Sequence, residues 1–345
     1  MEIAFLVFSL LMILLSAEFF TNGVESLGRK LSLSQAVVGS ILAAVGTALP
    51  ETILPFVAIL MHGGEAAKNI GVGAILGAPF MLSTLAFFLV GLSVLASFLM
   101  KKRKFELIVE AHSMKRDLLF FVVMYSFAIF FPLLIPKSNI FIAIALVIGY
   151  VIYAYLTFRG ESADIMHTEE LYFKRLLGGA RRLAGSASSE AHAQQHGAGL
   201  PLISFQVLAA LAVMVSGAHI FVGNLEKLST AWGMNPLLFA LLIAPVATEL
   251  PEKFNSVTWT LKGRDTLAMG NITGAMVFQS TFPVSVGLLF TDWNISGLAL
   301  FSAILALTSA AVAIAEIHMR NKLSPATVLL GGIFYLIYAA TIFLG

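Results

Sequence analysis

The sequence contains no cysteine among its 345 residues. A disulfide framework, a thiolate metal site and a cysteine nucleophile are therefore excluded. Charged residues are also scarce, at 12% of the chain, and the formal net charge of +2 gives no support to nucleic-acid binding. The chain has no His-Glu-x-x-His pattern and its histidines are scattered, which argues against an intramembrane metalloprotease and against enzymes in general.

Apolar residues, by contrast, make up 59% of the chain, and the mean hydropathy is +0.92. These values are typical of an all-α polytopic membrane protein. The N-terminus lacks the basic region of a cleaved signal peptide, so we expect the first apolar run to be a retained transmembrane helix. Ten segments are long enough to span a bilayer: 3–20, 35–61, 70–99, 118–135, 140–158, 202–230, 236–261, 266–290, 295–317 and 324–343.

The distribution of Lys and Arg predicts the orientation of these spans. If the N-terminus lies outside, all but four of the 21 basic residues fall in the inside connections. The four exceptions are Lys68, Lys137, Lys227 and Lys253. By the positive-inside rule, and with an even number of spans, we expect both termini to lie outside.

The longest connection divides the chain into two halves of five spans, 1–158 and 202–345, joined by a cytoplasmic linker over 159–201. The linker begins amphipathically at Leu171 and ends in a low-complexity stretch that is expected to be flexible. His192 and His196 lie four residues apart there, which could indicate a metal site, but a solvated linker is the preferred interpretation.

The two halves are related in sequence, with Phe20 matching Phe221 and Glu25 matching Glu226. Because each half has an odd number of spans, the second must insert upside down relative to the first. This predicts an inverted-topology repeat, an arrangement typical of secondary transporters whose site lies at the midplane between the repeats.

The strongest signal is a carboxylate beside a proline in the middle of an apolar segment, at Glu51, and again 201 residues later at Glu252. A charge at that depth costs roughly 2.5–3.5 kcal/mol on insertion scales and usually faces a cavity or a partner. Pro50, with Gly46 just before it, should break the helix and free backbone carbonyls for an ion.

The repeated segments supply oxygen ligands only. Glu51 and Glu252 provide carboxylates, and Thr47 and Thr248 provide hydroxyls one turn earlier. This set suits hard cations such as Ca²⁺, Mg²⁺, Mn²⁺ or Na⁺ rather than Zn²⁺ or Cu⁺. Two facing carboxylates without an ion would repel, so at least one should hold a proton. The alternative is that both glutamates are structural and hydrogen-bonded between helices.

The motifs Gly46-Thr-Ala-Leu-Pro-Glu51 and Ala247-Thr-Glu-Leu-Pro-Glu252, each followed by a Gly-x-x-x-Gly-Ala helix, resemble the two alpha-repeats of the calcium/cation antiporter superfamily, the sodium/calcium exchangers. The resemblance covers essentially all ten spans. It implies ten helices in two inverted five-helix repeats, and export of Ca²⁺ against Na⁺ or H⁺. It also implies that Glu51 and Glu252 are the central cation ligands and that Thr47 and Thr248 are the motif threonines. The chain looks like a divergent, prokaryotic-type member that lies in the cell membrane.

Several positions depart from the family's pattern. Serine or Asn/Asp is usual in the family where this chain has other residues: Ala48, Glu249, Ala78, Ala275, Leu82 and Gln279. The resemblance implies that those groups help to build Na⁺ sites, so their loss weakens the expectation of Na⁺ coupling and leaves the two-glutamate site in place.

Further polar residues of the second half were considered as ligands. Glu249 and Lys253 are four residues apart and could pair along one helix face. Either they form a neutralised structural pair, or Lys253 replaces a monovalent cation and Glu249 carries a coupled proton. Asn271 and Gln279 are candidate cation ligands or helix-packing residues. His219 could sense pH or could make an ordinary hydrogen bond within the bundle.

The sequence therefore predicts a secondary antiporter that exports a divalent cation, with Ca²⁺ preferred, in exchange for Na⁺ or H⁺. The first and sixth helices should slide across the others, with close contacts at Gly23, Gly217 and Gly223. Alternatives are a proton-coupled exchanger of Mg²⁺ or Mn²⁺ on the same fold, or a cation channel. No cofactor and no protein partner are expected; the surroundings are the lipid bilayer.

Overall fold

The computed structural model of the protein describes residues 2–31, 48–135, 137–160, 171–173 and 199–344. These residues form helices and connecting turns, with no strand among them. The helices are α1 Glu2–Lys30, α2 Leu49–Phe56, α3 Glu65–Met81, α4 Phe87–Leu99, α5 Ala111–Leu134, α6 Asn139–Gly160, α7 Leu200–Ala231, α8 Pro236–Thr248, α9 Leu250–Leu261, α10 Asp265–Gln279, α11 Phe282–Phe290, α12 Gly297–Arg320 and α13 Pro325–Leu344.

Eight helical segments in the described part of the chain are long and apolar enough to cross a membrane. The third and eighth predicted spans, 70–99 and 266–290, each overlap one of these segments almost completely: Glu65–Leu99 and Asp265–Phe290. The second and seventh predicted spans instead contain shorter apolar helices, Leu49–His62 and Pro236–Thr248. The described residues are thus all-helical, with eight candidate membrane spans, and the count of ten spans stays a prediction.

The seventh predicted span is broken where the sequence places its Glu-Leu-Pro-Glu motif. Helix α8 ends at Thr248, α9 begins at Leu250, and Glu249 lies between them. Pro251 is in the first turn of α9, where the missing N–H costs nothing. In the first half, α2 begins in the same way, at Leu49 with Pro50 in its first turn. Residues 32–47, which include Gly46 and Thr47, lie outside the described part.

Two further prolines precede π-helical turns. Pro55 lies inside α2 and is followed by a π-helix over Val57–His62, whereas Pro79 lies inside α3 and is followed by one over Leu82–Ala86. A proline in a helix interior removes one backbone hydrogen bond and crowds the carbonyl four residues earlier. The wider π turn accommodates that local mismatch without ending the helix.

The buried apolar residues form two clusters. Helix α1 lies mainly along α7. The apolar residues buried between them join residues of α2, α3 and α8 in one cluster, which includes Ile13, Leu54 and Phe221. A larger second cluster includes Phe121 and Tyr338 and also takes residues of α3 and α8. The α1–α7 pair therefore packs on α2, α3 and α8, and none of its described residues belongs to the larger cluster.

Small residues bring α3 against α8. A Cβ atom at Gly73 would lie 2.1 Å from the carbonyl oxygen of Leu237, and one at Gly77 would lie 2.2 Å from that of Leu241. Only glycine permits this approach of the two backbones, which is the use that membrane helices make of Gly-x-x-x-Gly spacing.

A buried ion pair joins two connections at the end of the bundle that is predicted to be cytoplasmic. Arg103, after α4, donates to both carboxylate oxygens of Asp265 at the start of α10, at 2.9 and 2.5 Å. The backbone N–H of Ile108 donates to the same carboxylate at 2.9 Å. The hydrogen bond to Asp265 raises the pKa of the Arg103 guanidinium above its ordinary value.

The start of the predicted linker also contacts the bundle. The backbone N–H of Tyr172 donates to Asn22 of α1 at 3.0 Å, and that of Phe173 donates to Gln206 of α7 at 2.9 Å. Gln206 in turn donates to Asn22 at 2.9 Å. The residues predicted to be flexible, with His192 and His196, lie outside the described part.

Replacement of Gly73 by alanine should destabilise the protein by about 1–3 kcal/mol, because the new methyl group meets a backbone carbonyl that cannot rotate away. The midpoint of thermal unfolding in detergent measures the effect. Gly149→Ala is the matched control: its Cβ would meet only the flexible end of Met124, and it should leave stability unchanged or slightly raised. Equal behaviour of the two variants would contradict the close packing of α3 on α8.

Candidate cation-binding site

A small cavity lies between α2, α3 and α8, beside the break that precedes α9. Its volume, measured as the space open to the centre of a water-sized sphere, is about 10 Å³, which is room for about one water molecule. Its polar lining comes from Glu51, Thr248 and Glu249, and the other lining residues are apolar: Leu54, Ala74, Ala78, Ala244 and Pro245. The structure thus brings motif residues of both halves together at one point.

Glu51 reaches this cavity from the first turn of α2 and is 8% exposed. The positive end of the helix dipole favours a negative charge at that position. Because residue 55 is proline, the N–H that would bond the carbonyl of Glu51 in a regular helix is missing. The position at the helix N-terminus therefore favours a carboxylate in an otherwise apolar place.

Thr248 is the last residue of α8 and is buried. Its hydroxyl donates to the carbonyl of Ala244 at 3.0 Å, one turn earlier. This bond uses the only proton of the hydroxyl and leaves lone pairs on its oxygen that can face a cation. The predicted role of Thr248 as an oxygen ligand is compatible with this geometry.

Glu249 and Lys253 are both 1% exposed. Glu249 occupies the break between α8 and α9 and lines the cavity, and the backbone N–H of Lys253 donates to its carbonyl at 3.0 Å. Glu249, a candidate ligand from the sequence, thus lines the same cavity as Glu51. The two interpretations of the Glu249–Lys253 pair both remain hypotheses.

Four predicted ligands remain, and the structure describes the side chains of two of them, Asn271 and Gln279. Thr47 is outside the described residues. Glu252 has its backbone in the first turn of α9, and its side chain is outside the described part. Asn271 donates to the hydroxyl of Ser256 at 3.2 Å and links α10 to α9, and Gln279 is buried at the end of α10. Neither is among the described residues that line the cavity.

Hydroxyl groups near the centre of the bundle bond to their own helices. Ser83 donates to the carbonyl of Pro79 at 2.8 Å, and Ser280 donates to that of Val277 at 3.0 Å. Such back-bonding satisfies a hydroxyl inside an apolar bundle. Neither serine is among the described residues that line the cavity.

One buried carboxylate escaped the sequence reading. Asp117, in the second turn of α5, is 5% exposed and accepts a hydrogen bond from Thr273 of α10 at 2.9 Å. Arg116 donates to its other oxygen at 3.0 Å. The signal was an acidic residue at the edge of an apolar run. It was overlooked because the neighbouring basic residues made it resemble part of a solvated connection.

The fold and the cavity, with carboxylates at helix N-termini inside an apolar bundle, are those of an integral membrane protein of the secondary transporter class. The family model described as "Sodium/calcium exchanger protein" matches residues 1–159 and 203–344. The chain therefore belongs to the sodium/calcium exchanger family, and it is a membrane antiporter that transports cations, as the motifs predicted. The family is one of transporters, not of enzymes.

Curated relatives match most of the chain at low identity. The "Inner membrane protein YrbG" of Escherichia coli is 24% identical over 301 residues, which cover 86% of this chain and 82% of that protein. The "Putative antiporter CaxA" of Alkalimonas amylolytica is 23% identical over 345 residues, which cover 96% of both chains.

Solved exchanger structures share the fold. The crystal structure of the H⁺/Ca²⁺ exchanger CAX superposes with a TM-score of 0.67 at 18% identity, covering 99% of this chain and 86% of that one. The sodium-calcium exchanger NCX_Mj, soaked with Na⁺ and Sr²⁺, superposes with a TM-score of 0.56 at 18% identity, covering 99% of this chain and 98% of that one.

A cation bound in the cavity should stabilise the folded protein, because a ligand that binds only the native state adds about 2.7 kcal/mol at 100 times its dissociation constant. We expect Ca²⁺ to raise the thermal midpoint of the wild type in detergent, and Glu51→Gln and Glu249→Gln to lose most of that rise. Glu65→Gln, whose side chain is 81% exposed in the wild type, is the control and should keep it. A full rise in Glu51→Gln would place the cation elsewhere.

Proposed function

We propose that the protein exports a divalent cation, Ca²⁺ first, in exchange for protons by alternating access. The observation that carries the proposal is the shared cavity: Glu51 and Glu249 place two carboxylates, with the hydroxyl of Thr248, in one small apolar enclosure. We further propose Glu252 and Thr47 as ligands, on the motif alone.

The choice of a divalent ion rests on charge and on ligand type. Two carboxylates match one divalent charge, and carboxylate and hydroxyl oxygens are ligands that hard cations prefer. Mg²⁺ demands near-ideal octahedral geometry and gives up its water reluctantly, whereas Ca²⁺ accepts irregular oxygen shells. An irregular set of carboxylate and hydroxyl oxygens therefore favours Ca²⁺ over Mg²⁺, and Mn²⁺ is the next candidate.

The choice of protons rests on what surrounds the carboxylates. Ala78 lines the cavity where the resemblance leads one to expect serine, so one oxygen that could hold Na⁺ is missing. When the divalent ion leaves, the two carboxylates repel each other in a medium of low dielectric constant, and a proton relieves that repulsion. The H⁺/Ca²⁺ exchanger CAX, named for this exchange, shares the fold.

We propose that α1 and α7 move together as the sliding unit. Gly217 of α7 lies against Ile13 of α1, where a Cβ would be 3.1 Å from its side chain, and Gly23 of α1 lies against Val207 of α7. These two glycines therefore lie between α1 and α7 and let the two helices pack closely. Gly223, the third glycine predicted to make a close contact, instead faces His62. None of the described residues of this pair belongs to the larger apolar cluster, which supports movement as one body.

The membrane arrangement is part of the proposal. Ten spans in two inverted five-helix repeats, with 159–201 as the cytoplasmic linker and both termini outside, account for the positive-inside pattern and for the paired motifs. The prokaryotic cell membrane is the proposed location. A two-fold site between repeats suits alternating access better than a continuous pore.

Uptake of ⁴⁵Ca²⁺ into liposomes tests the exchange. We expect an outward proton gradient to drive concentrative uptake, and an outward Na⁺ gradient at equal pH to drive little. Glu51→Gln should abolish uptake, because the site loses one charge, while Glu65→Gln should transport at the wild-type rate. Uptake driven by Na⁺ alone would contradict proton coupling, and flux without concentration would indicate a channel.

Replacement of Ala78 by serine should add an oxygen to the cavity wall. We expect Na⁺ to inhibit ⁴⁵Ca²⁺ uptake at lower concentration in Ala78→Ser than in the wild type, by roughly several-fold. Ala74→Ser, which lies one turn away on the same cavity wall, tests whether any hydroxyl there suffices. Unchanged Na⁺ inhibition in both variants would show that the serine position does not decide the choice of counter-ion.

A further inference from the structure

Two histidines from different helices meet outside the candidate cation-binding site. The Nδ1 atoms of His62 and His219 are 3.2 Å apart, and their ring centroids are 4.4 Å apart. His62 ends the π-helical turn that continues α2, and His219 lies in the middle of α7. The contact therefore joins the proposed sliding unit to the helix that carries Glu51.

The ring of His62 packs against α7 at Gly223. A Cβ at Gly223 would lie 3.2 Å from its Cε1 atom, so the absence of a side chain there makes room for the imidazole. His219, Gly223 and Glu226 are four and three residues apart and share one helix face. The Nε2 atom of His62 lies 3.8 Å from a carboxylate oxygen of Glu226. The two ring nitrogens of His62 thus face different partners on α7.

This geometry is that of a metal-binding histidine with an orienting carboxylate. Two nitrogens that bind one tetrahedral Zn²⁺ at about 2.0–2.1 Å lie about 3.3–3.4 Å apart, close to the separation observed here. A ligating histidine commonly directs its other ring N–H to a carboxylate, which fixes its tautomer and ring orientation. Glu226 faces this nitrogen of His62 at 3.8 Å, beyond hydrogen-bond length, and its exposed side chain would take that role by moving closer.

We propose that His62 and His219 form a second cation site, which takes a transition-metal ion such as Zn²⁺ or Ni²⁺ through their Nδ1 atoms, with Glu226 as the positioning residue. Imidazole suits these metals, whereas the oxygen ligands of the cavity suit Ca²⁺. Among the described residues no three His, Cys, Asp or Glu side chains form a metal-binding group, so water completes the coordination. Glu226 is 38% exposed and the ring of His62 17% exposed, which leaves access for the ion.

The second site is distinct from the cavity. His62 follows Glu51 by about three helical turns, or roughly 16 Å along the axis. An ion held between His62 and His219 would tie α7 to the end of α2. This consequence rests on the proposed function, in which α1 and α7 slide: the bridge would hold the protein in one conformation and so stop transport. Binding itself does not depend on that function.

Calorimetric titration with Zn²⁺ tests the site on the full-length protein in detergent. His192→Gln and His196→Gln are made first, because the linker histidines could bind the same ion. In this background we expect one Zn²⁺ per chain. His62→Gln and His219→Gln should each lower the affinity tenfold or more, and Glu226→Gln should lower it about 10-fold, at the lower end of the range for lost orienting partners. His318→Gln, an exposed histidine that contacts Lys115, should not change it.

The possible outcomes separate this proposal from the proposed function. Glu51→Gln should bind Zn²⁺ with wild-type affinity while losing Ca²⁺ transport; loss of Zn²⁺ binding in that variant would move the ion into the cavity and overturn the proposal. Unchanged affinity in His62→Gln or His219→Gln would also overturn it. If those variants do not fold, the exposed Glu226→Gln substitution decides: an unchanged affinity there contradicts the site. Zn²⁺ should inhibit uptake by the wild type and spare His219→Gln, and inhibition of both would refute the bridge.

Discussion

Burial of carboxylates within an apolar bundle is the constraint on which the rest of this structure depends. Water cannot solvate Glu51 or Glu249 there, so the fold must supply helix ends, a nearby cation or a proton. It does so by starting α2 and α9 beside the carboxylates and by placing prolines where a missing N–H is tolerated. The helix breaks, the small cavity and the need for an exchanging ion follow from the same requirement.

One set of helix contacts holds the walls of the cavity, and another joins the α1–α7 pair to it. Helices α3 and α8 approach closely at Gly73 and Gly77, so the walls of the cavity are held by backbone contacts. The α1–α7 pair contributes no described residue to the larger apolar cluster and packs on α2, α3 and α8 through the smaller one. A rigid site beside a helix pair that lies outside the larger cluster is an arrangement in which access can change while the ligands keep their positions.

The agreement between the sequence and the structure differs from residue to residue. A helix break was predicted at Pro50 from local chemistry, and in the repeated motif, where Pro251 takes its place, the structure has a break between Thr248 and Leu250. The role of Asn271 depends on a partner from another helix, and its contact with Ser256 could not be read from its position in the chain. The contact of His62 with His219 was missed for the same reason, because 157 residues separate them.

The sequence by itself determined that this is a helical membrane protein of the sodium/calcium exchanger family, because hydropathy, proline positions and a repeated motif are local properties of the chain. Only the tertiary structure decided which polar groups share a space: Glu249 with Glu51, Asp117 with Thr273, and His62 with His219. The physical reason is that helix periodicity fixes which residues share a face, whereas the neighbour of that face depends on how whole helices pack.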